Sequence, residues 1–493
     1  MIPSAQIVRA YRHARDIYLP GPTTSSNEMA PDEIQEVLSR LHRNPEKEYQ
    51  YRSSDDVLTL SDFLGISTHD ESPVVLQLGG GNPETLGAAS AIGRAFAPYS
   101  SVNLNCGCPS NAVGGRSGGV ALMSDPSLVA RCVEAMNANL SGLEEVSEPN
   151  GGVSARGETN NDNRCTVTVK HRLGVGDASS YDAVADRRKD DTEAFENCKS
   201  FVEAITLGGA VAKCHLHARL GLLGEFPDED DGGVATADRK NSQSLWVPGN
   251  DGGPSTTERP REKIDHKRLQ TLAKKRSRNA TMKNRHVPPL RPNVVNALAA
   301  EFPELEFVAN GGIGTMDEVR RIVDDPHHGG DDNGNGRPIG AMVGRAAVNH
   351  PCAFASADAL WRPPASRGET VPLHERPSRG AVLRDYIEYC DTEEERMSSY
   401  GASIDTIAKL RRRLVAVPFH LFMGEDGNDA FQRRVKKLTS KTDKIRASSI
   451  LFGAASFVPV HTLEKCVDDH VPWKDIPVYE GSRHSSALQR VVY

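Results

Sequence analysis

Nowhere in the chain do about 18 apolar residues follow one another, so it offers no helix able to span a bilayer. It does not open on a charged start followed by an apolar stretch and a small-residue cleavage site, so no secretory leader is expected. Its nine cysteines, at 106, 108, 132, 165, 198, 214, 352, 390 and 466, are odd in number and lack the paired spacing of a disulfide framework or a zinc site. A reducing compartment follows, and no metal is expected. Positive charge is not in excess either: the formal charge is -7, which excludes a uniformly basic nucleic-acid binder and leaves room only for local patches. Apolar residues make up 38% and the mean hydropathy is -0.47, low for a wholly compact globule.

At 493 residues the chain has room for two or more domains. From Pro73 onward, short β-rich segments end in glycine or polar motifs and alternate with helix-like patterns. The segments are Val74 to Gln77, Val102 to Asn105, Thr166 to Lys170, Lys213 to His217, Glu306 to Asn310 and Ala341 to Val343. Helices are expected at Pro83 to Phe96, Pro126 to Met136 and Asn293 to Phe302. This rhythm predicts an α/β fold of the (β/α)8 TIM-barrel type, with its site on the loops after the strands.

Residues 137–164, 220–284 and 324–338 are rich in Gly, Asp, Asn and Ser and read as mostly disordered insertions. The expected organisation is an atypical N-terminal segment (1–72), the barrel (73–364), a proline-containing linker (365–380), a smaller all-α domain (381–468) with helical spacing of apolar residues, and a C-terminal tail (469–493).

The strongest motif is Asn103-Leu104-Asn105-Cys106-Gly107-Cys108-Pro109-Ser110, a strand ending in a sharp turn that would present Cys108 at the barrel mouth. A glycine-rich loop, Gly114-Gly115-Arg116-Ser117-Gly118-Gly119, follows. Taken alone, a lone cysteine is usually a small buried residue. Two glycine turns, Gly311-Gly312 and Gly344-Arg345, follow the last two strands, where barrels commonly hold phosphate; one such pair is more often a tight turn, and two after successive strands favour phosphate.

The cysteine segment resembles the N-x-N-x-G-C-P-S string of the tRNA-dihydrouridine synthases. Five further segments occur in that family's order: Gln77-Leu78-Gly79-Gly80, Thr168-Val169-Lys170-His171-Arg172, His217-Ala218-Arg219, Asn310-Gly311-Gly312-Ile313 and Val343-Gly344-Arg345. Val287-Pro288-Pro289-Leu290 and Phe302-Pro303 are similar to the (20/20a) subfamily. The resemblance covers roughly Pro73 to Ala357 without the insertions, and the helical tail more loosely.

It implies an FMN enzyme that reduces a tRNA uridine, with NADPH as electron donor and Cys108 as proton donor. It also implies FMN contacts from Gln77, Asn105, Lys170, His217, Asn310, Gly311, Gly312, Gly344 and Arg345, and substrate contacts from Arg172 and Arg219. Between Lys409 and Arg446 there are eleven Lys or Arg against four acids, a candidate tRNA surface in which Arg433 and Arg434 stand out; Arg259 to Arg291 carries twelve against two.

Before Pro73 nothing matches the family's opening A-P-M-x-x-x-T-D strand. The barrel is therefore expected to lack its first strand, through truncation or through replacement by Ile2 to Ala10, with Glu28-Met29 as the end of the second. This keeps open a catalytically impaired tRNA-binding scaffold and an FMN barrel acting on a small molecule. The cytoplasm is the expected compartment, with an organelle open on the same ground.

Overall fold

The computed structural model describes residues 1–20, 29–51, 58–65, 74–109, 118–147, 165–206, 210–224, 288–324, 337–357 and 376–470. Among these, nine strands occur: β1 (Ile2–Pro3), β2 (Val75–Gly79), β3 (Ser101–Cys106), β4 (Thr166–Arg172), β5 (Val175–Asp177), β6 (Lys213–His217), β7 (Gly221–Leu223), β8 (Glu306–Asn310) and β9 (Gly340–Met342). Seven form one sheet in the order β1-β2-β3-β4-β6-β8-β9, every pair parallel, and β5 pairs with β7 separately. Parallel neighbours require crossovers, and the helices between them supply these, as in a (β/α)8 barrel.

Residue alternation fixes which face each strand turns to the helices. Leu76, Leu78, Val102, Leu104, Val167, Val169, Cys214, Leu216, Phe307 and Ala309 are buried in the apolar core shared with the surrounding helices. The intervening positions carry Gln77, Asn103, Asn105, Thr168, Lys170, Arg172, His215, His217 and Asn310, a polar interior. Helix Pro83–Phe96 starts at Pro83 because Asn82 caps it, Oδ1 accepting from the Thr85 N–H at 2.8 Å.

Six strands lie where the sequence predicts them, and at the start of the chain a two-residue strand forms within the Ile2 to Ala10 segment expected as a replacement. Strand β1 at Ile2–Pro3 pairs with Leu78 and Gly79, and Ser4–Tyr18 is a helix, so the strand beside β2 is not the segment ending at Met29; Glu28 lies outside the described residues. Helix Pro126–Ser147 runs eleven residues into the stretch expected to be disordered from 137, because Leu140 and Leu143 continue its buried face. Likewise β7 falls in the insertion expected from 220. Residues 148–164, 225–284 and 325–336 of the three insertions, and most of the basic run from Arg259, lie outside the described residues.

A second apolar cluster, including Leu383, Cys390, Phe422, Phe431, Val435, Ile450 and Leu451, unites helices Arg379–Ser399, Ile404–Ala416, Asn428–Thr439 and Ala447–Ala455. Two buried charges lock it. Arg379 pairs with Glu425 at 3.1 Å and donates to the Cys466 carbonyl at 3.0 Å, while Glu394 takes Arg411 at 2.8 Å and the Ala447 N–H at 2.7 Å.

Candidate active site

The turn after β3 is pinned from three sides. Asn105 Oδ1 accepts the N–H groups of Gly107 at 3.0 Å and Cys108 at 2.9 Å. Arg172 donates Nε–H to the Gly107 carbonyl at 2.8 Å and an η-nitrogen to the Leu220 carbonyl at 2.9 Å. The Cys108 carbonyl accepts the Val120 N–H at 2.8 Å. That last approach requires Gly119, whose φ is +62° and whose added Cβ would lie 2.3 Å from the Cys108 oxygen. Cys108 and Cys466 are the half-buried thiols among the described residues; the other seven are buried. Two residues earlier, Cys106 faces the helices beside Cys132 and Cys214, and burial pushes its thiol well up.

A hydrogen-bonded chain crosses the barrel interior below this turn. Asn105 Nδ2 donates to Gln77 Oε1 at 3.0 Å, Gln77 Nε2 to Asn103 Oδ1 at 2.8 Å, and Asn103 Nδ2 to Thr168 Oγ1 at 2.8 Å. On the other side Lys170 Nζ reaches Asn310 Oδ1 at 3.2 Å, and Asn310 Nδ2 donates to the Met342 carbonyl at 2.7 Å. Burial, then the neighbouring Arg172, pushes the Lys170 ammonium down to about 8. His217, opposite Arg172 and Asn310 in register, is held well below the usual histidine range by burial and then by the cations Arg172, Lys170, Arg219 and Arg345. A neutral imidazole offers one N–H and one lone pair.

The two glycine turns follow adjacent strands, Asn310 being paired with Met342. Gly311 has φ +112°, and a Cβ there would meet the His217 ring at 2.7 Å; Gly312 has φ +76°. Around Gly344 nothing lies within 4 Å of an added Cβ, and Gly344 and Arg345 are exposed. Glu318 Oε2 accepts the N–H groups of Gly314 at 2.7 Å and Thr315 at 3.1 Å, closing the first turn onto helix Met316–Asp324.

Gln77, Asn105, Cys108, Lys170, Arg172, His217, Asn310, Gly311 and Gly344 thus lie at the same ends of β2, β3, β4, β6, β8 and β9. Arg219 is buried with its guanidinium on the Pro288 carbonyl, and Arg291 N–H bonds the Ala218 carbonyl at 2.9 Å, so the P-P-L segment backs the H-A-R segment. Arg433 and Arg434 lie on helix Asn428–Thr439, in the second cluster. Sequence alone does not single out Gly119, Asn103 or the interior His215; for Gly119 the signal is its place in the glycine-rich loop, of which 114–117 lie outside the described residues. Beside β5, a cleft lined by Asp177, Tyr181, Asp186 and Arg291 contains none of these site residues.

Residues 55–147 match the family described as "Dihydrouridine synthase (Dus)". Curated relatives include proteins named tRNA-dihydrouridine(20/20a) synthase from Pseudomonas putida (29% identical over 65% of this chain and 63% of the relative), Pseudomonas aeruginosa (30%, 64% and 63%) and Synechocystis sp. (28%, 75% and 74%). The chain spans 63% of the length of the two Pseudomonas relatives. With its barrel of parallel strands and the motif residues gathered at one end of it, the chain is similar to the dihydrouridine synthase family over residues 55–147 and to proteins named tRNA-dihydrouridine(20/20a) synthase over 64–75% of its length.

Proposed function

We propose that this chain is a tRNA-dihydrouridine synthase, an oxidoreductase that saturates the C5–C6 bond of a uridine in the tRNA D-loop, using FMN and NADPH. The observation that carries the reading is the clustering of a pinned, half-buried thiol with Lys170, tied to Asn310, and with His217 at one end of the barrel.

The residues present fit a flavin mononucleotide. Gln77 and Asn105 offer amide groups to a polar ring edge, and Lys170 offers a cation held in place by Asn310. The turns at Gly311-Gly312 and Gly344 have no side chain to obstruct an anion, and Arg345 stands exposed beside the second. When bound, FMN supplies the hydride for C6, having been reduced by NADPH.

The remaining work belongs to the chain. Cys108 donates a proton to C5 of the base, its backbone fixed by Asn105, Arg172 and Gly119 so that the sulfur does not search for its position. Arg172 and Arg219 hold the walls around the base. Extruding a uracil costs a few kcal/mol and is least in a loop, which favours an unpaired tRNA position. Residues 381–468 serve as the tRNA-binding domain, with Arg433 and Arg434 against phosphates.

Reconstitution of the full chain with FMN, NADPH and unmodified tRNA, followed by nucleoside analysis, tests the reading: dihydrouridine is expected, and its absence from a flavin-loaded protein that binds tRNA contradicts it.

A further inference from the structure

The helical domain exposes two phenylalanine rings that no core explains: Phe452 is 72% and Phe457 is 53% exposed, with Val460 at 67% close by in sequence. Both rings belong to the end of helix Ala447–Ala455 and the turn after it, which packs against helix Asn428–Thr439. Across that contact the Arg434 guanidinium lies 5.8 Å from the Phe457 ring centroid. Arg433 and Lys437, one turn apart on the same helix, are exposed.

Exposed aromatics beside cations suit a particular ligand. Bare charge binds phosphate, and bare apolar surface binds apolar surface, but rings interleaved with Arg and Lys match a strand whose bases are unstacked. Arg434 over one side of Phe457 restricts the ring before anything binds, so less freedom is lost on stacking. The negative net charge of the chain makes such a local basic patch a directed feature.

We propose that Phe457, five residues after the exposed Phe452, is a stacking platform for an unpaired nucleobase of the RNA substrate, and that Arg433 and Lys437 hold the flanking phosphates. This rests on the tRNA reading and adds a base contact remote from the reacting uracil. Binding of an unmodified tRNA transcript to the full chain, titrated across a salt series, tests it. Phe457→Ala is expected to weaken binding on the order of tenfold at every salt concentration with the slope unchanged. Arg433→Ala is expected to reduce the slope of log K on log salt by about one. Phe457→Trp should restore affinity and gain a fluorescence signal quenched by the RNA, which a merely structural ring would not do. Wild-type affinity in both Phe457→Ala and Phe452→Ala overturns the proposal while leaving the tRNA reading intact; so does loss of self-association in those variants without loss of RNA binding. Absence of tRNA binding by the wild-type chain overturns both.

Discussion

Asn105 holds Cys108 by its backbone: one side-chain oxygen takes the N–H groups of residues 107 and 108, at 3.0 and 2.9 Å, and the same amide's nitrogen is tied to Gln77 at 3.0 Å. The residue that the family pattern assigns to the flavin therefore also sets the aim of the thiol. Asn105→Ala leaves two turn N–H groups without their acceptor, a cost of about 1–3 kcal/mol each if they stay dry. Asn105→Asp keeps the acceptor and loses the donor to Gln77. We expect alkylation of Cys108, measured in a Cys466→Ser background, to change rate in the Ala variant and to stay near wild type in the Asp variant. Equal rates in all three proteins contradict the role.

Gly119 is the other half of that clamp. Gly119→Ala adds a methyl 2.3 Å from the Cys108 carbonyl oxygen at a left-handed φ, and should cost about 1–3 kcal/mol together with most of the activity. Gly142→Ala, within helix Pro126–Ser147 and 3.8 Å from Pro31, is the contrast: a gain of up to about 1 kcal/mol. Thermal melts of the two variants moving in the same direction contradict this account.

Lys170 titrates near the physiological range. Because its folded value is pushed to about 8 from 10.5, its charge is lost as pH rises through about 8, and activity that depends on that cation should fall there. The sign for stability is opposite: between about 8 and 10.5 the unfolded chain binds the extra proton, so the flavin-free protein gains stability with rising pH. Lys170→Met should remove both limbs. A pH profile of the variant that keeps the alkaline decline assigns it to another group.

Three barrel histidines set the acid side. His171 and His215 are pushed down to about 4 by burial, and His217 lies well below 6.5. Their unfolded forms take up protons first, so stability falls as pH drops below about 6.5, by at most about 1.4 kcal/mol per pH unit for each. Substituting His215, whose Nδ1 has no hydrogen-bond partner, by Asn should flatten that slope. Unchanged pH dependence of the melting temperature in His215→Asn contradicts the assignment.

Five of the six strands were legible because they set polar residues among apolar ones and end in a turn motif, Gln77 and Asn310 among them; the sixth, Gly340–Met342, is marked by the Gly344-Arg345 turn after it. Strands of two or three residues such as Ile2–Pro3, Val175–Asp177 and Gly221–Leu223 carry no alternation to read; pairing with a neighbour makes them strands. The helix through Asn137 to Ser147 was hidden by its Asn, Ser and Gly content, although Leu140 and Leu143 keep the helical spacing. Within the site, strand-end residues announced themselves through chemistry. Their supports did not: the close approach of the Gly119-Val120 backbone to the Cys108 oxygen depends on how the loop folds back, and the bridge from Asn103 to Thr168 joins neighbouring strands 65 residues apart in the chain.

The central claim is that Cys108 delivers the proton. The most direct measurement is dihydrouridine formed by Cys108→Ala, loaded with FMN and supplied with NADPH and unmodified tRNA. The account expects flavin absorbance equal to wild type and product reduced by at least on the order of a hundredfold, the scale of a lost general acid; product at the wild-type rate contradicts it.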